Sequence, residues 1–361
     1  MFEKQELFRG GEHGYETYRI PALEVTTAGT ILAFCAARVE PGDWSDIDIA
    51  LRRSTDGSTW SPMRIIAGEG VKEPADNAVP IVEGDTGRIH FLYQVNYARV
   101  YTIYSDDDGE TFSEPVDITP ALEDFREDYP WRVVAPGPGH GIRLRNGRLL
   151  VPIWMSDGSG KEMGAGNPGH RPSVVATIYS DDRGQTWERG EIVLRHDEET
   201  FINPSEHVAV ELTDGKVMLN IRTESRRNRR VITISNDGAT GWSEPRFDEA
   251  LFEPVCCGSF IRISSSPSML LFVNPDSRHR EPIRSGKASY PRENLTAKLS
   301  FDEGTTWPVS RVIDPGESGY SALAVAADGT IYCLYEHGGR MARNKIMSIV
   351  HFDQAWLTNA E

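Results

Sequence analysis

Ser105-Asp106-Asp107-Asp108-Gly109-Glu110-Thr111-Phe112 is a serine, an aspartate two places on, then a glycine, a threonine and a closing aromatic. Residues 180–187 repeat the phrase with Asp182, Gly184, Thr186 and Trp187 in register, and residues 300–307 repeat it with Asp302, Gly304, Thr306 and Trp307. Altered copies stand at 54–60, one residue short, and at 235–242. A phrase that recurs along a chain marks a repeated supersecondary unit. The residue types point to a tight turn: aspartate accepts from nearby backbone N–H groups, glycine supplies a positive φ, and the aromatic is an apolar plug. These boxes are structural and carry no chemistry by themselves.

The box serines are 51 to 75 residues apart. Short apolar runs flank them at 30–37, 89–95, 149–154, 173–179, 217–221, 269–273 and 330–335, separated by turns rich in Gly, Asp, Asn and Pro. Gly84-Asp85, Asn146-Gly147, Asp214-Gly215 and Asp328-Gly329 precede such runs and read as hairpin turns. Only 120–128 has helical character. Residues 156–172, rich in glycine, read as a surface loop, and 275–292 as a polar, basic loop. The expectation is an all-β chain: a six-bladed β-propeller of four-stranded antiparallel blades, about 60 residues each, using residues 1–361 as a single domain.

Composition narrows the function. The chain of 361 residues carries a formal net charge of −16, which argues against nucleic acid, whose phosphates need a basic face. No apolar run is long enough to span a membrane. The first residues lack the basic and apolar blocks of a signal peptide, so the expectation is either an intracellular protein or a chain whose leader has been removed. Cys35, Cys256, Cys257 and Cys333 have no metal-ligand spacing and read as reduced core thiols. The acidic run 105–110 lacks a full calcium loop. No metal or other cofactor is expected, and oligomeric state is left open.

Three arginines stand where strands begin or end: Arg19 in Tyr18-Arg19-Ile20-Pro21, Arg222 after 217–221, and Arg292 before 295–300. Guanidinium forks at the inner ends of separate blades suit one shared carboxylate. This set, with the boxes, with Asn203-Pro204-Ser205-Glu206, with Ser318-Gly319-Tyr320-Ser321 and with Leu334-Tyr335-Glu336, resembles the sialidase (neuraminidase) superfamily over roughly residues 18–352.

The resemblance implies an exo-α-sialidase that hydrolyses terminal α-linked sialic acids of glycans or free sialosides with retention. It implies that Arg19, Arg222 and Arg292 grip the substrate carboxylate. Tyr320 would be the nucleophile, Glu206 its base and Glu336 the partner of Arg19. Arg38 would contact the sugar's 4-position, and Asp43 would be the acid/base. Asp46 competes with Asp43 for that role, while Asp48 lies in a strand-like run and reads as structural. A tyrosine suits an anomeric centre that already bears a carboxylate, because a neutral phenol avoids like-charge repulsion; sialidases are a recognised exception to the two-carboxylate scheme. Trp154, Met155 and Asn77 are candidates for an N-acyl pocket, and His140 for its mouth. The alternatives are a glycosidase for a related 2-keto acid (nonulosonic) sugar, a trans-sialidase, and a non-catalytic glycan-binding propeller.

Overall fold

The computed structural model describes residues 1–283, 289–338 and 346–359. Strands dominate, and every sheet pairing between named strands is antiparallel. The first sheet runs Thr17–Val25, Ile31–Arg38, Ile47–Ser54, Arg64–Ala67, and the second Ala75–Val82, Ile89–Val95, Arg99–Ser105, Val116–Asp117. The third runs Val133–Pro136, Leu149–Ser156, Ser173–Ser180, Glu188–Arg195, with Ile142–Arg143 also paired to its second strand. The fourth runs His207–Glu211, Val217–Ile221, Arg229–Ser235, Arg246–Phe252.

The rest of the described chain forms a seven-stranded sheet rather than two separate ones. In spatial order it runs Phe2–Arg9, Ile346–Phe352, Ile331–His337, Val309–Val325, Glu293–Ser300, Ser268–Pro275, Ser259–Ser265. The expected six separate sheets are therefore five in hydrogen bonding. The reason is one strand of 17 residues, Val309–Val325. Its first part pairs with Glu293–Ser300 and its last part with Ile331–His337. The N-terminal strand Phe2–Arg9 pairs with Ile346–Phe352, so the two ends of the chain meet in one sheet. Such a join protects the edges that an open array would expose.

The arrangement is propeller-like, and its core lies between sheet faces. One apolar cluster joins the first and second sheets through Leu32, Phe34, Ile49 and Phe91. Others join the second to the third through Val79, Leu92 and Val151, and the third to the fourth through Leu150, Val175 and Leu219. The fourth meets the seven-stranded sheet through Met218, Ile232, Phe260 and Leu270. Leu271, Leu299, Leu323 and Val350 join the two halves of that sheet. Leu7, Tyr18, Ala33 and Leu334 return to the first sheet and close the ring.

The boxes lock these interfaces. In the box at 180–187, Thr186 donates from backbone N and Oγ1 to Asp182 at 2.9 and 2.6 Å, and the Gly184 N–H bonds Ser180 Oγ at 2.8 Å. Gly184 has φ +76°, and a Cβ there would stand 2.9 Å from His90 on the second strand of the preceding sheet. The glycines at 57, 109, 238 and 304 face Tyr332, Leu32, Leu150 and Met218 in the same way, each on the second strand of the neighbour.

Helix is confined among the described residues to Pro120–Glu123, a 3₁₀ turn at Asp124–Glu127, and Gln354–Thr358. The last was not expected; Asp353 caps it by accepting from Trp356 N at 2.7 Å. All four cysteines are buried and free. Among the described residues no helix is long and apolar enough to cross a membrane, and no group of His, Cys, Asp and Glu could hold a metal ion.

Candidate active site

The inner strands are irregular where they approach the axis, and the irregularity aims the side chains. Between Arg19 and Ala22 the pairing with Ile31–Arg38 slips, and Ile20 sits at φ +54°. A β-branched residue there is a genuine outlier, of the kind that concentrates at functional sites. The same slip occurs between Asp76 and Val79, with Asn77 at φ +62°, and between Ser318 and Ser321. Bulges re-aim a side chain without ending the strand. Tyr320 lies inside Val309–Val325, within the last of these slips.

The side chains so aimed line a cavity of about 580 Å³, within the roughly 300–1,000 Å³ of small-molecule sites. Arg19, Arg38, Asp43, Glu206, Arg222, Arg292 and Tyr320 all border it. The guanidinium carbons of Arg19, Arg222 and Arg292 stand 5.7, 5.9 and 5.3 Å from the Tyr320 ring centre. Three cations from three sheets thus surround one phenol.

Glu206 and Arg222 are cross-strand neighbours: Arg222 N donates to Glu206 O at 3.1 Å, just beyond the pairing of His207–Glu211 with Val217–Ile221. Arg222 Nη1 donates to the Glu206 carboxylate and, at 2.6 Å, to the Tyr320 hydroxyl oxygen. The Tyr320 hydroxyl donates to Glu206 Oε1. Burial pushes the Tyr320 phenol above its ordinary range; Arg222 pulls against this, and the Glu206 charge adds to it. Burial opposes the charge of Glu206, yet Arg222, the Tyr320 hydroxyl and Arg292 hold its carboxyl below the usual value. The pair is therefore a neutral phenol hydrogen-bonded to an ionised carboxylate.

Glu336 is fully buried behind Arg19. It accepts from Arg19 Nε at 3.2 Å and from Ile20 N at 3.1 Å, fixing both the guanidinium and the bulge. A Cβ on Gly319 would stand 2.4 Å from Glu336 Oε2, so only glycine fits beside Tyr320. Arg292 donates to the Val255 carbonyl oxygen at 2.6 Å. Among the described residues it forms no ion pair with a carboxylate, although its charge is felt by Glu206 and Tyr320.

Arg38, wholly buried, bridges Asp43 at 2.6 Å and the buried Asp76 at 2.8 Å. Arg19 reaches Asp43 from the other side at 3.5 Å. Burial works against the Asp43 charge, but Arg38 and Arg19 hold its carboxyl well below the usual carboxylate range. Asp46 does not border the cavity; its charge lies near Tyr15 and Asp48, and Tyr15 donates to Asp48 at 2.6 Å. Asp48 thus has a structural partner, and Asp43 faces the arginines.

Trp154 and Asn77 border the cavity, whereas Met155 is buried in the core cluster between the second and third sheets. The alternation of side chains along Leu149–Ser156 accounts for the difference. His140 lines a different cavity, of about 340 Å³, bordered by residues of all five sheets, including Glu24, Ile81, Ala209 and Leu323. Sequence reading missed Asp76, Trp44, Tyr97 and His170. The loop 156–172, expected at the surface, brings Met163, Asn167, His170 and Arg171 to the cavity wall. Part of the basic loop 275–292, residues 284–288, lies outside the described residues.

Comparison with known proteins bears on the family and the fold. The family model for a BNR repeat-like domain matches residues 29–333. A sialidase of Micromonospora viridifaciens is 31% identical over 99% of this chain and 54% of its own length. A sialidase of Bacteroides fragilis is 29% identical over 90% of this chain and 61% of its own. This chain therefore spans between half and two thirds of the length of these two relatives. Among solved structures, the Hadza microbial sialidase Hz136 superposes with a TM-score of 0.78 at 26% identity, covering 98% of this chain and 69% of that one. Repeats, ring of sheets and family match together place this chain in the BNR-repeat sialidase superfamily.

Proposed function

We propose that the chain is an exo-α-sialidase that removes terminal α-linked sialic acids from glycans or simple sialosides, with retention, through a tyrosyl-enzyme intermediate. The observation that carries this reading is the Tyr320 hydroxyl, bonded to Glu206 and Arg222 while three guanidinium groups surround its ring. In this reading Arg19, Arg222 and Arg292 bind the substrate carboxylate and Glu336 orients Arg19. Arg38 contacts the sugar and holds Asp43.

The Tyr320 oxygen forms a bond to the anomeric carbon as the bond to the aglycone oxygen breaks. Glu206 takes the phenol proton; Asp43, which picks up a proton from solvent once the substrate carboxylate draws Arg19 from it, gives that proton to the leaving oxygen. Water then attacks the anomeric carbon; Asp43 takes its proton, the sugar–tyrosine bond breaks, and Glu206 returns a proton to the phenol. Preset cations at the carboxylate fix the ring for attack.

The same reading treats residues 1–361 as one six-bladed unit, the seven-stranded sheet counting as two blades that share Val309–Val325. Six of the apolar clusters, one between each pair of neighbours, support that count. A 2-keto acid sugar other than sialic acid would meet the same arginines and is the related alternative. A non-catalytic binder would have no use for the hydrogen-bonded Tyr320–Glu206 pair. The test is turnover of a fluorogenic α-sialoside by the wild type and by Tyr320→Phe. Turnover lost in the variant is expected; equal rates remove the nucleophile, and no wild-type turnover on any 2-keto acid glycoside removes the enzyme.

A further inference from the structure

Asp43 lies on a turn, residues 40–46, whose hydrogen bonds close on the turn itself. Ser45 Oγ donates to Glu40 O at 2.8 Å and to Gly42 O at 2.9 Å, and Val39 N donates to Asp46 O at 3.0 Å. Arg38 Nη1 also reaches Pro41 O at 3.3 Å. These bonds shape the turn. Its attachment across to the second and third sheets is the side chain after Asp43. The Trp44 ring centre lies 5.1 Å from that of Tyr97, in the hairpin after Ile89–Val95, and 6.2 Å from that of His170. His170 in turn lies 4.7 Å from Tyr97 and 5.2 Å from Trp154. Tyr97 and Trp154 are both buried and belong to the cluster between the third and fourth sheets. Tilted and edge-on rings at these separations attract beyond their buried area.

The seat matters because the other tethers of Asp43 are conditional. Arg19 is shared between Asp43 and Glu336, and a substrate carboxylate gripped by Arg19 competes with Asp43 for it. The carboxyl would lose one of its two arginines at the moment it must face the leaving oxygen. A turn held only by Arg38 would be free to tilt; a turn pinned by an indole would not.

Resting on the sialidase reading above, we propose that Trp44 is a positioning residue for Asp43: lodged among Tyr97, Trp154 and His170, it keeps the acid aligned with the leaving oxygen. The proposal predicts a dependence on the leaving group. An alkoxide must be protonated as it departs, whereas an acidic phenol needs little help. Two α-sialosides with the same sugar are compared, one on lactose and one on an acidic fluorogenic phenol. The measured quantity is kcat/KM, which reports only steps up to the first bond cleavage. Trp44→Ala is expected to lower kcat/KM about 10–100-fold on the lactoside and less than about 3-fold on the aryl substrate, the signature of lost acid catalysis. Asp43→Ala should show the same pattern with a larger gap. Trp44→Phe, which keeps a ring in the seat, should recover most of the lactoside rate. The inhibition constant of the 2,3-unsaturated sugar acid, which has no leaving group, should not move.

Equal losses on both substrates, with or without an early melting transition, would overturn the proposal. So would a loss appearing in the inhibition constant, full lactoside activity in Trp44→Ala, or Phe no better than Ala. A wild type inert on both substrates would instead refute the sialidase reading on which the proposal stands.

Discussion

Replacing Glu206 with glutamine keeps the shape of the side chain and removes the one acceptor able to hold a proton. The carboxylate has two duties. Oε1 accepts from the Tyr320 hydroxyl, and Oε2 accepts from Arg222 and, at 3.2 Å, from Ser205 Oγ. A carboxamide has one acceptor and one donor end. Two donors cannot face each other, so its oxygen must turn to Arg222 and Ser205, and its NH₂ then points at the phenol oxygen. That oxygen receives hydrogen bonds from both Arg222 and the amide, while its own proton loses its partner. General-base assistance is worth roughly 10²–10⁴-fold, about 3–5 kcal/mol on the barrier. Binding should survive, because the Arg222 cation, freed of a carboxylate, meets the substrate's charge no less well. The expected result with a fluorogenic α-sialoside is a kcat lower by about 10²–10⁴-fold and a KM unchanged or reduced, with an unaltered melting curve showing an intact fold. A kcat within threefold of wild type, or a loss confined to KM, would refute the assignment of Glu206 as the base.

Other consequences can be tested with the same assay. Arg38 and Arg19 hold Asp43 below the usual carboxylate range in the free protein, and a bound substrate takes Arg19 away. The pKa of Asp43 should therefore rise on binding, so the alkaline limb of kcat, which reports the complex, should lie at higher pH than that of kcat/KM; coincident limbs would contradict this. Gly319→Ala places a methyl group against Glu336 and should displace the partner of Arg19, raising KM at least about tenfold, as expected for a disturbed charged hydrogen bond; an unchanged KM would show that the buried carboxylate can move aside. The chain carries a net charge of −16 and repels an anionic glycan until the arginines take over at close range. Screening beyond about 10 Å at 0.1 M salt should leave kcat/KM unchanged or raise it, and a steep fall would show that long-range attraction drives capture.

How much of this was legible in the sequence follows the range of the interactions. The boxes were readable because their chemistry is local: Asp302 bonds Thr306 four residues on, as the spacing requires. Their role in locking neighbouring sheets was not, because Gly57 and Tyr332, which approach each other, stand 275 positions apart (332 − 57) in the chain. The arginines and Tyr320 were found by resemblance, from residue types in order along the chain. What brings them together is a set of bulges such as Ile20 at φ +54°, where a β-branched residue gives no sign of a left-handed backbone.

Asp43 and Asp46 looked alike because they stand three positions apart on one turn; the bonds of Arg38 and Arg19 to Asp43, and of Ser45 back to Glu40 and Gly42, form only in the folded turn. The shared strand Val309–Val325 was not foreseen, because its pairing passes from one neighbour to the other around Pro315-Gly316, residue types common in turns. The aromatic seat of Trp44 draws on the second and third sheets, and no spacing along the chain announces it.

The account turns on a covalent bond between the sugar and Tyr320. A 2,3-difluorinated sialosyl donor slows both formation and breakdown of such a bond, so an adduct should accumulate when the protein is incubated with it. Mass spectrometry of the digested protein should then find the fluorosugar on the peptide containing Tyr320, and none in Tyr320→Phe. A protein that turns over α-sialosides yet gives no adduct, or carries it on Glu206 or Asp43, would contradict the central claim.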